Sequence, residues 1–265
     1  METKRERELA AFERLLDVMD TVREKCPWDR KQTLETLRPQ TIEETYELSD
    51  AILKQDMFNI CKELGDLLLH VVFYAKIGKE QGQFDIADVC NKLCDKLIYR
   101  HPHIYGNVAV KNAEEVIGNW EQLKTKEKDG NKTVLSGVPE SLPSVIKAFR
   151  IQEKARAVGF DWEKKEDVWN KVGEELGELR DVLPQGGKPA EEELGDFLFS
   201  VINAARLYGF DPDTALENTC AKFRRRFGYL EEHTIKQGKS LKEMTLAEMD
   251  EIWDQAKELE KKGEL

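Results

Sequence analysis

The chain has 265 residues and a formal net charge of -11, with 35% charged and 40% hydrophobic residues. That length fits one large domain or two ordinary ones, and the acidic balance argues against a general nucleic-acid binder, because phosphate backbones select basic surfaces. No apolar run reaches membrane-spanning length, the mixed-charge start lacks the apolar core of a signal peptide, and Cys26, Cys61, Cys90, Cys94 and Cys220 form no disulfide framework, so the expectation is a cytoplasmic protein with neither nucleic-acid nor membrane partners.

Residues 9–23 read as an opening helix, followed by a Pro27-Trp28-Asp29 turn. Two acidic stretches come next, Glu43-Glu44-x-x-Glu47 and Glu63-Leu64-Gly65-Asp66. Spacing of three places each pair of acids on one helix face. Residues 64–77 (LGDLLLHVVFYAKI) are apolar almost all round, which predicts a helix in the middle of a bundle. Phe84-Asp85 opens a further helix, with Asp85 a natural N-cap. Lys96 to Arg100 supplies a basic stretch and Trp120 a closing helix. Cys90, Cys94, His101 and His103 are neighbours, but their spacing is not that of a zinc finger, and the two cysteines read as the inner face of a helix. The polar run at 125–133 (TKEKDGNKT) reads as a linker.

Beyond it the same order returns. Residues 146–158 form an opening helix and Phe160-Asp161-Trp162 a turn. Glu174-Glu175-x-x-Glu178 and Glu193-Leu194-Gly195-Asp196 follow, the latter beginning the apolar run 194–208 (LGDFLFSVINAARLY). Phe210-Asp211, the basic Lys222-Phe223-Arg224-Arg225-Arg226 and Trp253 complete the second copy. Alternating strands separated by hairpin turns are not evident. The chain is therefore expected to be all-α, with two tandem helical-bundle units at 1–125 and 142–265 joined by a linker at 126–141.

Two acidic helices packed antiparallel would bring four carboxylates together, and such charges repel unless a cation sits among them. Glu63, Asp66, Glu193 and Asp196 interrupt otherwise apolar helices, where a bare carboxylate is costly. A single such motif would more simply be a solvated or salt-bridged helix face; its ordered recurrence points to metal. All-oxygen ligands suit Mg²⁺, Mn²⁺ or Ca²⁺. Di-iron bundles use Glu-x-x-His, whereas Asp66 and Asp196 stand where that histidine would be, and His70 lies one turn further on, opposite Ser200. Lys222 and Arg226 share a helix face, and such cations beside a metal suit a polyphosphate. Trp253 taken alone reads as core as readily as a base-stacking residue. The phosphate-binding loop of P-loop enzymes is absent from the sequence.

Together, Cys26-Pro27-Trp28-Asp29, the two acidic motifs, Arg100-His101-Pro102-His103, Val138 to Pro143, Val158 to Trp162 and Lys222-Phe223-x-Arg225-Arg226 span essentially the whole chain. In that order they resemble the all-α nucleoside triphosphate pyrophosphohydrolases, and among them the two-domain bacterial MazG family. The resemblance implies Mg²⁺-dependent hydrolysis of nucleoside triphosphates, ribo and deoxy and with broad base tolerance, to the monophosphate and pyrophosphate. Mn²⁺ is the implied substitute metal, a homodimer the implied assembly and nucleotide-pool house-cleaning the implied role. The implied metal ligands are Glu175, Glu178, Glu193 and Asp196 in the second unit, and Glu44, Glu47, Glu63 and Asp66 in the first. Implied nucleotide contacts are Lys171, Glu174, Glu175, Lys188, Glu192, Lys222, Arg225, Arg226 and Trp253, with Lys188 one residue away from the family pattern. Glu174 or Glu192 would orient the attacking water or take its proton. The second unit is expected to carry most of the hydrolysis, because Lys171 aligns with Gln40 and residues 222–226 are more basic than 96–100. Two other readings stand beside this one. The first is a narrower dNTP or phosphoribosyl-ATP pyrophosphatase; the second is a non-catalytic helical interaction protein with structural metal sites.

Overall fold

The computed structural model describes residues 3–126 and 133–265; residues 127–132 of the expected linker lie outside the described residues. The described residues form eleven α-helices and no strand, as an all-α chain requires. None of these helices is long and apolar enough to cross a membrane. The chain divides into two compact units, one ending at Ala113 and the other beginning at Glu114.

In the first unit, α1 (Lys4–Lys25) starts at a capping box between Thr3 and Glu6. Helix α2 spans Leu34–Leu53 and α3 Met57–Glu80. The connection between them is short and includes Gln55 in the left-handed region (φ 56°). Asp56 then accepts from the amides of Phe58 and Asn59 and caps α3. Thr41 on α2 meets His70 and Tyr74 on α3, while Glu44 meets Glu63 and Asp66. Contacts that advance along α2 and retreat along α3 make the pair antiparallel. The core is Met19 from α1, Leu37 from α2 and Val72, Phe73 and Ile77 from α3. Arg23 closes this end: it donates from Nε and Nη2 to the Glu80 carboxylate at 2.8–3.2 Å and from Nη1 to the carbonyls of Asp29 and Gln32. Helices α4 (Ile86–Arg100) and α5 (Pro102–Tyr105) follow, with Asp85 in a capping box at the start of α4; α6 (Ala113–Lys126) starts at the division and lies in the second unit from Glu114 on.

The second unit repeats the plan with α7 (Ser144–Ala157), α8 (Val168–Val182), α9 (Gly187–Leu207), α10 (Pro212–His233) and α11 (Leu246–Lys262). Helices α8 and α9 pack along each other as α2 and α3 do. Gly186 and Gly187, at φ 63° and 70°, make the reversal between them, a conformation that glycine adopts without a Cβ penalty. Asp211 accepts from the Thr214 amide and caps α10.

The expected burial of the apolar helices is met on one side only. Val72, Phe73, Ala75 and Ile77 of α3 are buried, but Leu64, Leu68, Leu69 and Val71 are exposed. In α9, Ala204 is buried while Leu194, Leu198, Phe199 and Val201 are exposed. Few helices pack on α3 or α9 within a unit, so each keeps an apolar stripe open.

Candidate metal and nucleotide site

Each antiparallel pair gathers three carboxylates. Glu44, Glu63 and Asp66 offer oxygen atoms within 4.8 Å of one another, and so do Glu175, Glu193 and Asp196. These are the groups of three or more potential metal ligands among the described residues. Cys90, Cys94, His101 and His103 do not form a third such group among the described residues.

The first group brings like charges close together. Glu63 is buried, with Oε1 accepting from Lys62 Nζ at 2.8 Å. Its Oε2 is buried with no hydrogen-bond partner, an arrangement that a metal ion would satisfy. Burial, then the charges of Asp66, Glu47, Glu63 and Glu43, push the Glu44 carboxyl up. Behind the group, the Thr41 hydroxyl lies 3.1 Å from His70 Nδ1 and 2.6 Å from the Tyr74 hydroxyl. Burial holds His70 below its ordinary value, so the neutral ring is favoured.

In the second group, desolvation, then the charges of Glu178, Asp196, Glu175 and Glu192, push the Glu193 carboxyl up. Glu175 is buried and is met by Lys171 Nζ at 2.7 Å; the same ammonium reaches Glu174 at 2.9 Å. These two bonds raise the lysine well above its ordinary value. Both groups present oxygen donors alone, so each fits a hard divalent cation. Glu47 and Glu178 are exposed, outside the three-residue groups, yet their charges are felt by Glu44 and Glu193.

The cavities beside the two groups differ. The one in the first unit, about 450 Å³, is lined by Glu43, Glu47, Asp50, Asp56 and Glu63 and by Lys54, which pairs with Asp50. The one in the second unit, about 740 Å³, is reached by Glu175 and Asp196 and also by Lys171, Arg206, Phe160, Trp162 and Phe199.

The remaining expected nucleotide contacts gather elsewhere in the second unit. Lys188, at the start of α9, is exposed and pairs with Glu192 at 3.4 Å. Arg225 and Arg226 both donate to Glu260 of α11, at 2.5 and 2.6 Å. The Arg226 guanidinium lies 5.9 Å from the Trp253 ring centre, and Phe223 packs on Trp253 at 5.0 Å. Lys222 is half-buried on the same helix. Among the described residues neither α10 nor α11 lines the 740 Å³ cavity.

Sequence reasoning did not identify Glu260, nor Gln152, Asn203 and Arg206 of the larger cavity. Arg206 is 4% exposed and donates to Asp161 and Asn203. Burial would push the Asp161 carboxyl up, but Arg206, the Trp162 amide and Arg156 more than reverse it and hold it low. The signal was present: a lone arginine inside an apolar helix demands a partner as much as Glu193 does.

The model of the MazG nucleotide pyrophosphohydrolase domain matches residues 32–105 and 163–229, and each segment contains one carboxylate group. The nucleoside triphosphate pyrophosphohydrolase of Escherichia coli K12 is 40% identical over 258 residues, covering 94% of this chain and 98% of the relative. The nucleoside triphosphate pyrophosphohydrolase/pyrophosphatase MazG of Thermotoga maritima is 43% identical over 249 residues, covering 93% and 95%. A nucleoside triphosphate pyrophosphohydrolase of Mycobacterium tuberculosis is 36% identical over 153 residues, 56% of this chain and 46% of the relative. With the domain present twice and relatives matched over nearly their full length, the chain belongs to the MazG nucleotide pyrophosphohydrolase family.

Proposed function

We propose that this chain hydrolyses nucleoside triphosphates, ribo and deoxy and across bases, to the monophosphate and pyrophosphate, with Mg²⁺ as cofactor and Mn²⁺ as a substitute. It works as a cytoplasmic homodimer in nucleotide-pool house-cleaning, and the second unit performs most of the hydrolysis. Family membership and the printed names of the Escherichia coli and Thermotoga maritima relatives support the reaction. The observation that carries it is the Glu175–Glu193–Asp196 group opening on a cavity that also holds Lys171 and aromatic rings. The first unit's cavity, lined by Glu43, Glu47, Asp50, Asp56 and Glu63 with neither the arginine nor the cluster of aromatic rings of the second, suits a triphosphate less well, which supports the asymmetry between the units.

In this reading Glu175, Glu193 and Asp196 hold the cation, with Glu178 swinging in from the next turn; Glu44, Glu63, Asp66 and Glu47 form the weaker counterpart. The cation supplies Lewis acidity and positive charge facing the triphosphate. Glu174 or Glu192, both exposed beside the group, takes the proton of the attacking water. Lys171, Lys188, Lys222, Arg225 and Arg226 offset phosphate charge, Arg225 and Arg226 exchanging Glu260 for phosphate oxygens. Trp253, already stacked against Arg226, adds an aromatic face beside them. Water adds across one anhydride bond, so the two products carry its oxygen and hydrogens between them. The open stripes of α3 and α9 support the dimer, because contiguous exposed apolar surface of this kind marks an interface.

The test is pyrophosphate release from eight NTPs and dNTPs with Mg²⁺, wild type beside Glu193→Ala. Release across several bases, abolished by the substitution, is expected. Release from one base only would refute the broad tolerance; undiminished release by Glu193→Ala would refute the site.

A further inference from the structure

The two carboxylate groups differ in the residue that precedes Glu63 and Glu193. It is Lys62 in the first unit and Glu192 in the second. Lys62 is exposed, and its ammonium reaches the buried Glu63 at 2.8 Å from Oε1 and lies 3.9 Å from the Asp66 carboxylate. One cation therefore serves two of the three acids of this group. The bond to Glu63 lifts the ammonium above its ordinary value against desolvation, and the charges of Glu63, Asp66 and Glu47 add to it. In the second unit Glu192 adds negative charge instead, and pairs with Lys188. Among the described residues no lysine or arginine pairs with Glu193 or Asp196. Lys171 bonds Glu175, but it also holds Glu174 at 2.9 Å, outside the group, and so keeps a carboxylate when it releases Glu175. Both carboxylates that Lys62 meets belong to the group itself.

A divalent ion on Glu63 and Asp66 would stand close to the Lys62 ammonium, and two cations so placed repel. The ion therefore has to displace the lysine and break a charge-assisted hydrogen bond to a buried acid. We propose that Lys62 is a resident counter-ion that competes with divalent metal for Glu63 and Asp66 and sets the metal affinity of the first unit below that of the second. This rests on the reading of both groups as metal sites. It gives the asymmetry between the units a cause inside the carboxylate group, separate from the nucleotide contacts. As metal rises, the second unit fills first, and the first fills only where the ion outcompetes its own lysine.

Mn²⁺ titration of the full chain, with the free ion read by electron paramagnetic resonance, tests the proposal. Glu193→Ala silences the second unit and leaves the first to be read. In that background Lys62→Met is expected to tighten Mn²⁺ binding roughly tenfold, the scale on which outer partners tune a metal site. Lys62→Gln, which keeps a hydrogen-bond donor without the charge, should tighten it too, and Lys62→Arg should leave it weak. Lys54→Met controls for charge alone: Lys54 lines the same acidic cavity but pairs with Asp50, and its loss should change binding far less. Melting in chelator shows which variants fold, and Lys62→Met should gain more melting temperature from added Mn²⁺ than its parent. Unchanged or weaker Mn²⁺ binding by Lys62→Met and Lys62→Gln, or equal tightening by Lys54→Met, would overturn the proposal. Absence of Mn²⁺ binding by the first unit in every variant would overturn it together with the metal reading of that unit, while pyrophosphate release by wild type would leave the reaction standing. Tightening by the Lys62 variants with no pyrophosphate release from any nucleotide by wild type would uphold the counter-ion and overturn the reaction.

Discussion

Replacing Arg206 by methionine should loosen the turn that carries Trp162. The guanidinium is 4% exposed and reaches Asp161 at 2.5 and 3.1 Å, Asn203 at 2.8 and 3.0 Å, and Glu153 at 3.8 Å. Methionine fills the space of the stem but leaves Asp161 with only the longer contact to the Arg156 guanidinium, at 3.7 Å. Removing one partner of a buried ion pair costs about 3–5 kcal/mol. The Asp161 side chain is 19% exposed and regains some water, which places the expected cost near 3 kcal/mol, the lower end of that range. In the local opening equilibrium that is roughly a hundredfold. Native-state hydrogen exchange read by mass spectrometry, on peptides covering 159–168, reports that opening directly. Acceleration of this order is expected there, with peptides of the first unit unchanged. Arg206→Lys, which keeps the charge and loses the fork, should fall between. If exchange over 159–168 in Arg206→Met matches wild type, then Asp161 does not tether the turn and the reasoning fails.

Three further outcomes are expected. Glu178→Ala should lower pyrophosphate release at least about tenfold, the scale for groups that tune a metal site, and Glu47→Ala much less; equal losses would refute the asymmetry between the units. Leu198→Asp and Leu68→Asp, which charge the open stripes, should reduce the mass measured by light scattering towards the 30.6 kDa of one chain; a wild type already at that mass would refute the dimer. The Arg23 hydrogen bonds hold the Glu80 carboxyl below its ordinary value. Its stabilisation is therefore complete above the unfolded pKa of about 4.3 and is lost as pH falls through the lower folded value. Glu80→Gln should flatten the acid limb of the stability curve of the first unit, as followed by urea unfolding, and an unchanged limb would count against the pair.

What local pattern encodes was legible in the sequence, and what distant packing decides was not. The opening helix expected at 9–23 occupies Lys4–Lys25, and that at 146–158 occupies Ser144–Ala157. Asp85 and Asp211 cap the helices they were expected to cap, because a cap needs only the next three residues. The acids cluster because a spacing of three shares a face and a short connection forces the helices antiparallel. The apolar runs misled in one respect. An all-round apolar helix implies burial, and composition alone does not distinguish burial within one chain from an open stripe such as Leu64 to Val71. Glu260 escaped notice because Arg225 and Arg226 find it 35 and 34 residues away, with no periodic signal linking them. Gln152 escaped for a related reason: the Phe199 carbonyl that it reaches lies 47 residues away.

The connection through Gly186 and Gly187 bears on the order in which this site is made. The ligands of the second carboxylate group come from two consecutive helices, with Glu175 and Asp196 both inside a single helical hairpin. Contacts so near in sequence close on the microsecond scale of helix formation and loop closure and lose little chain entropy. The larger cavity needs α7 and the turn at 159–162 as well, so it waits on contacts of longer range, such as Gln152 to Phe199, 47 residues apart. During folding, the three acids of this group are thus brought together before the surrounding wall exists, and their mutual repulsion opposes closure of that hairpin. A divalent cation in the refolding buffer would remove this opposition at the earliest step, acting as a folding accelerant before it acts as a cofactor.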